Sequence, residues 1–287
     1  MQREPELARK LYDRFEQVHA VTYFAPEARA ALDALGYRGF WMGYFAARSA
    51  PLGEVPADVV AAVFYNFSRA RVAKALPAAW DIAGPALALR ARQDSAVAAL
   101  RRYGLTDDDE NVCTAARLAA RAARQAPLDA RPLFAANLAL PWPSNPLAML
   151  WHAATLLREQ RGDGHVTVLT AAGISGRESN VLHSAASAVP AEYLKRSRHY
   201  DEDEWHACEL SLAERGLLDD EGSLTAAGRD FKDQIEASTD KLALRAFDGL
   251  DDAEMRALFD ALTQIARMVI AGGDLPAVTP MGKRSDF

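Results

Sequence analysis

At 287 residues, half of them hydrophobic and a quarter charged, the chain is long enough for one large domain or two ordinary ones with real cores. A net charge of −6 disfavours nonspecific nucleic-acid binding, which needs concentrated Lys and Arg. The most apolar stretch, 75–89, is broken by Pro77, Asp81 and Pro85 well short of the roughly 20 residues of a membrane span.

The start, Met1 to Glu6, carries acids and no apolar stretch behind a basic patch, so a cytoplasmic location is expected rather than secretion. Cys113 and Cys208 lie far apart in sequence. They suggest neither a disulfide framework nor a zinc site and read as small core residues. Helical periodicity pervades the chain, which predicts a mainly α fold.

In chain order, residues 6–21 place Leu7, Leu11, Phe15 and Val18 on one stripe of an amphipathic helix. Pro26 then opens a second helix at its first turn, and Gly36 closes it. Aromatic residues concentrate around these elements: His19, Tyr23 and Phe24, then Phe40, Trp41, Tyr44 and Phe45, then Phe64, Tyr65 and Phe67. Rings at helical spacing are first of all core. With His19, Tyr23, Arg48 and Asn66 among them they also form the wall of a candidate cavity for an apolar or aromatic small molecule. Gly39 and Gly43, four apart, would let a helix or a ligand approach closely.

Residues 45–51 can be laid over 134–140, each followed by a helix opened by proline, at Pro56 and at Pro146. The match suggests two related helical units, 1–75 and 76–160. In the first, the helix after Pro56 is expected to carry Val59, Val60, Val63, Phe64 and Phe67. Between the units, 106–110 reads as an acidic loop entering a helix N-terminus.

The passage Trp151 to His165 joins the two halves of the chain. On a helix Trp151, Thr155 and Arg158 share a face with His152 beside it, and a Gly162-Asp163-Gly164 turn would then present Asp163 and His165. An Asp beside a His can orient and charge an imidazole, so His165, His19 and Asp163 are the catalytic candidates. The blander alternative is that Arg158, Arg161 and Asp163 pair to pin the domain junction. A metal site from His152, Asp163, His165 and His183 lacks tight ligand spacing, and no metal is assigned. No glycine-rich phosphate loop, nucleophile elbow or zincin motif occurs, so no cofactor is assigned either.

From His165 to Leu244 the order of signals is that of a winged helix. Ser175 with Glu178 is a capping-box pattern, Pro190 starts a short helix, and Asp201 with Glu204 starts a third whose inner face holds Trp205, Cys208 and Leu212. The segment 217–224 reads as a small β-hairpin wing, and Thr225 caps a long helix. The would-be DNA-reading helix begins Asp201-Glu202-Asp203-Glu204. Its outward face is predicted to hold Asp203, His206, Ala207, Leu210 and Glu214, with no Arg, Asn or Gln for paired contacts to bases. The wing is acidic at Asp219, Asp220 and Glu221. Only Lys195, Arg196 and Arg198 offer charge for phosphate. Apolar stripes then mark helices near 226–247 and 252–271, the second through Leu258, Phe259, Leu262, Ile265, Met268 and Val269. The tail from Gly272 to Phe287 reads as irregular.

The passages Arg215-Gly216-Leu217-Leu218 and Leu224 to Arg229 resemble the MarR-type winged helix. Together with 19–26, 39–53 and 151–165, they make nearly the whole chain similar to a family of actinobacterial helix-turn-helix proteins. The resemblance implies a helical amino-terminal domain, 1–160, fused to a MarR-like module, 161–247, with a final helix and tail, 248–287. It also implies that the last helices could form a homodimer interface.

The ligand-binding residues expected from the sequence are His19, Tyr23, Phe24, Trp41, Tyr44, Phe45, Arg48, Phe64, Asn66, Phe67, Trp151, His152, Arg158 and Arg161. The leading expectation is a small-molecule-binding protein that does not read DNA conventionally and does not enter a membrane. A ligand-responsive DNA-binding regulator is the alternative. An enzyme using His165 or His19 as general base is the third reading.

Overall fold

The computed structural model describes residues 3–186 and 189–283, and it is mainly α. Among the described residues, nine α-helices come first: α1 (Glu6–Phe24), α2 (Pro26–Ala34), α3 (Gly39–Ser49), α4 (Ala57–Phe64), α5 (Arg69–Ala73), α6 (Pro85–Arg102), α7 (Glu110–Gln125), α8 (Pro132–Leu138) and α9 (Pro146–Ala171). They are followed by α10 (Gly176–Ala186), α11 (Ala191–Arg198), α12 (Glu202–Glu214), α13 (Ala226–Leu244) and α14 (Asp252–Ala271). Among the described residues, no helix is long and apolar enough to cross a membrane.

The local signals act where their chemistry requires. Pro26 sits in the first turn of α2, and Gly36 follows that helix with φ of 92°, a conformation costly for any side chain. Asp109 accepts from the amides of Asn111 and Val112 to cap α7. Ser175 and Glu178 form the reciprocal capping bonds at the start of α10, 3.2 and 2.8 Å long. Asp201 caps α12 at 2.7 Å, and Thr225 caps α13 at 2.9 Å.

Three cores result. The first joins α1, α6, α7, α9 and α14 around Phe15, Leu100, Leu118, Leu150 and Leu262. A second lies among α3, α4 and α5, with Phe45, Phe64, Phe67 and Val72. The third gathers Leu169, Val181, Leu182, Leu194, Trp205, Leu212, Leu217 and Ile235 from α9 to α13. The 26-residue α9 is the common member of the first and third cores. Glycines 162 and 164 do not interrupt it, so the expected turn there is helix and the 160/161 position falls inside α9. Flanking residues that bury well on several sides hold it straight against the local preference of glycine.

Other expectations change in detail. Helix α4 ends at Phe64, because Tyr65 takes a left-handed φ of 56°, so Phe67 reaches its core from a loop. The segment after Pro56 is therefore an 8-residue helix whereas that after Pro146 runs 26 residues, which limits the likeness of the two. Where a β-hairpin wing was expected, the described residues hold an isolated antiparallel bridge between Leu218 and Leu224. Asp219 closes its turn by accepting from the amides of Glu221 and Ser223. In the tail, Val278–Thr279 and Gly282–Lys283 pair as antiparallel strands β1 and β2, where irregular chain was expected; residues 284–287 of that tail lie outside the described residues. The stripe of α14 packs within the chain, since Leu258, Leu262, Ile265 and Val269 join the core shared with α1 and α7. Cys208 is buried as expected, but Cys113 is exposed.

Candidate functional site

A cavity of about 630 Å³ lies where α1, the α3–α4 aromatic cluster, α9, α10, α11 and α13 converge. One wall is apolar, built from Phe40, Trp41, Tyr44, Phe64 and Phe67. The rings pack edge to face or tilted, as at Trp41 and Phe67 (5.9 Å) and Tyr44 and Phe67 (5.7 Å), which aromatic quadrupoles favour. Two turns of α9 supply the opposite wall through Arg158, Glu159, Arg161, Asp163 and His165. Asn180, His183, Arg196 and Arg198 come from α10 and α11, and Lys232 and Glu236 from α13. Pro280 and Met281, between β1 and β2, lie at the edge.

The aromatic wall is tied to the start of α10 by backbone proximity. A Cβ on Gly176, at the start of α10, would stand 1.9 Å from the Tyr65 carbonyl oxygen, so only glycine permits that approach. Asn180 Nδ2 donates to the Asn66 carbonyl at 2.9 Å, and the Tyr65 hydroxyl donates to the Ile174 carbonyl. Gly43 serves packing of helices, since a Cβ there would be 3.2 Å from Leu32 of α2.

Buried charge is matched along α9. Glu159 meets Arg48 through both oxygens at 3.3 Å, and Arg158 Nη1 at 2.9 Å. Burial alone would raise the Glu159 pKa, but Arg158 and Arg48 hold it well below the carboxylate range. Arg158 also reaches Glu16 at 3.3 Å, and Arg161 donates to Asp240 at 2.9 Å and Glu236 at 3.1 Å. Arg158 and Arg161 thus tie α9 to α1 and α13, and their partners are carboxylates of α1, α9 and α13 rather than Asp163.

Asp163 instead accepts from the Phe134 amide at 2.9 Å, capping α8. Burial, reinforced by Glu159, raises it to about 7. It does not orient His165, because residues two apart on a helix point in different directions. His165 Nδ1 lies 3.0 Å from Thr239 Oγ1, whose own proton goes to the Ile235 carbonyl at 2.8 Å. Nδ1 is therefore the protonated nitrogen, and Nε2 keeps a lone pair. Burial lowers His165 to about 4, leaving it neutral near pH 7.

The structure brings Tyr23, Phe24, Trp41, Tyr44, Arg48, Phe64, Asn66, Phe67, Arg158 and Arg161 to the cavity, together with Asp163 and His165. It does not bring four others. His19 is fully buried behind the wall, with Nδ1 at 2.9 Å from Thr155 Oγ1 and Nε2 at 3.0 Å from the Tyr23 hydroxyl. Both nitrogens are engaged, and burial keeps the ring neutral. Trp151 stacks on His19, Phe45 belongs to the second core, and His152 packs edge-on against Trp142 at 4.8 Å. Residues missed from the sequence are Glu159, Asn180, Arg196, Arg198, Lys232 and Glu236. Arg196 and Arg198 stood out in the sequence only as charge for phosphate, and no local signal turns either toward a cavity. Among the described residues, no three His, Cys, Asp or Glu side chains cluster as a metal site.

The face of α12 that would meet DNA is acidic as expected: Glu202, Asp203, His206, Ala207, Leu210 and Glu214 are exposed. Its basic counterweight is mostly spent. Lys195 pairs with Glu192 and Glu202, at 3.2 and 2.6 Å, and Arg198 is buried in the cavity. Glu204 is held by Arg177 at 2.6 Å.

No curated protein and no solved structure matches the chain. One family model, that of a helix-turn-helix family, matches residues 8–276 and so runs from the first turn of α1 past the end of α14. On that match the chain belongs to the helix-turn-helix family.

Proposed function

We propose that the protein binds a small apolar or aromatic molecule where a helical amino-terminal domain (1–160) meets a MarR-like winged-helix module (161–247), the third segment, 248–287, packing its helix α14 on the first. The observation that carries this reading is the junction cavity. Its volume of about 630 Å³ falls in the range of small-molecule sites, and it sets an aromatic wall against a few fixed polar groups. The winged-helix module closes the cavity through α10 and α11, and its acidic α12 face argues against conventional DNA reading.

Native mass spectrometry of the gently purified protein, followed by titration with the recovered compound, tests the reading. The expected result is a bound organic molecule whose affinity drops in both Trp41→Ala and Phe67→Ala. A compound that binds equally well to both variants overturns the assignment to this cavity.

A ligand-responsive regulator is the second reading, favoured by family membership and by the Gly176, Asn66 and Asn180 contacts that tie the cavity wall to α10. A gel shift with genomic fragments at low salt that responds to the ligand would support it; no shift at low salt would reject it.

A further inference from the structure

We propose that the junction cavity takes a small acid, a flat apolar body carrying one anionic group, with Arg198 as its counter-charge. This rests on the cavity reading above and adds the ligand's chemical class to it. The argument begins with the partners of the buried cations. Arg48 and Arg158 share Glu159, Arg158 also holds Glu16, and Arg161 and Lys232 share Glu236. Arg198 makes no hydrogen bond through its side chain and no ion pair with any described residue, although it is only 6% exposed. Its guanidinium lies over the Phe67 ring, 4.3 Å from the centroid.

An unpaired buried cation is costly, and a cation–π contact returns only part of that cost. A methionine would fill the same space over Phe67 without that cost. The deficit is relieved by an anion entering from the cavity that Arg198 lines. Burial lowers the Arg198 pKa to about 10, so the group remains a cation at neutral pH.

The surroundings suit such a ligand. Arg196, exposed on the same helix, also lines the cavity and would draw an anion inward. The Tyr44 hydroxyl accepts from Arg48 at 3.2 Å and retains its own proton to donate. Trp41, Tyr44 and Phe67 offer ring surface for the apolar body beside Arg198. The Arg198 carbonyl accepts from Arg177, which also holds Glu204 of α12, so an anion at Arg198 bears on the α11–α12 corner.

Two fluorescent probes with the same aromatic skeleton test the proposal on the full-length protein: 1-anilinonaphthalene-8-sulfonate and neutral N-phenyl-1-naphthylamine. The sulfonate is expected to bind about tenfold tighter or more, the usual worth of a charged hydrogen bond. Arg198→Met should remove that preference while leaving the neutral probe within about twofold, and Arg198→Lys should restore part of it. Displacement of the sulfonate by 1-naphthoate but not by 1-naphthamide gives the same answer on the unaltered protein, should Arg198→Met fail to fold. Equal affinity for the two probes, or an undiminished preference in a folded Arg198→Met protein, overturns the anion inference and leaves the cavity reading standing. If neither probe binds, the cavity reading fails as well.

Discussion

Glu159 of α9 grips Arg48 of α3 through both carboxylate oxygens, each 3.3 Å from a guanidinium nitrogen, and at 1% exposure the carboxylate is sealed from water. This pair and its neighbour Arg158 hold the aromatic cluster against the central helix. Glu159→Gln would leave Arg48 and Arg158 short of a counter-charge. The expected loss is about 3 to 5 kcal/mol, the usual cost of breaking a buried ion pair from one side. Urea denaturation at pH 7 measures it. Adding Arg48→Met to Glu159→Leu should recover part of the loss, and a double-mutant cycle showing no coupling would contradict the account.

Gly176 at the start of α10 lies tightly against the backbone of Tyr65. Gly176→Ala would place a methyl 1.9 Å from the Tyr65 carbonyl oxygen, so α10 must move away from the loop. A destabilisation of about 2 kcal/mol or more is expected, with weaker binding of any cavity ligand. Calorimetry and ligand titration on the variant check the two effects separately. An unchanged Tm would show that the loop yields without cost.

Acidification should destabilise the fold between about pH 6.5 and 4. Burial lowers His152, His165 and His183 to about 4 each and His19 well below its usual value. In that window the unfolded chain binds protons that the folded chain refuses, so each group subtracts stability as pH falls, on the order of 2 kcal/mol for each of His152, His165 and His183. Asp163 acts in the opposite sense. Its pKa is raised to about 7, so its contribution is fully present below about pH 4 and is lost as pH rises through 7. Asp163→Asn, which can still accept from the Phe134 amide, should therefore raise Tm above pH 7 and change little near pH 4. Thermal melts from pH 4 to 9 (~) test both signs.

DNA affinity should be absent in the native chain and obtainable by reversing charge. Asp203→Lys together with Glu202→Gln would remove two carboxylates from the exposed face of α12 and free Lys195 from its pair with Glu202. Salt-sensitive binding to duplex DNA is expected to emerge at about 50 mM salt and to weaken steeply by about 200 mM. A variant that still fails to bind would mean that the shape of the module, rather than its charge, keeps it from DNA.

The helix starts and the inward residues of the third core were legible because they depend on near neighbours. A cap acts across three residues, as at Ser175 and Glu178, and an amphipathic stripe repeats within two turns. The acidic outer face of α12 was legible for the same reason, and this electrostatic character survives in the folded protein. Most of the aromatic wall was found because so many rings lie close together in sequence. His152 and Trp151 were misplaced because adjacent positions on a central helix face different layers, and sequence adjacency does not say which layer is hollow.

By itself, then, the sequence determined a mainly α chain with many of its helix starts, one aromatic cluster and an acidic would-be recognition helix. Only tertiary structure decided that α9 runs unbroken past Gly162 and Gly164, that α14 packs against α1 and α7, and that Arg198 turns inward onto Phe67 with no ion-pair partner among the described residues. Those outcomes depend on packing and charge pairing between segments far apart in sequence: Glu159 lies 111 residues from Arg48, and Arg198 meets Phe67 across more than half of the amino-terminal region. Periodicity is a property of one segment, whereas a cavity is a property of several segments that fail to fill the space between them.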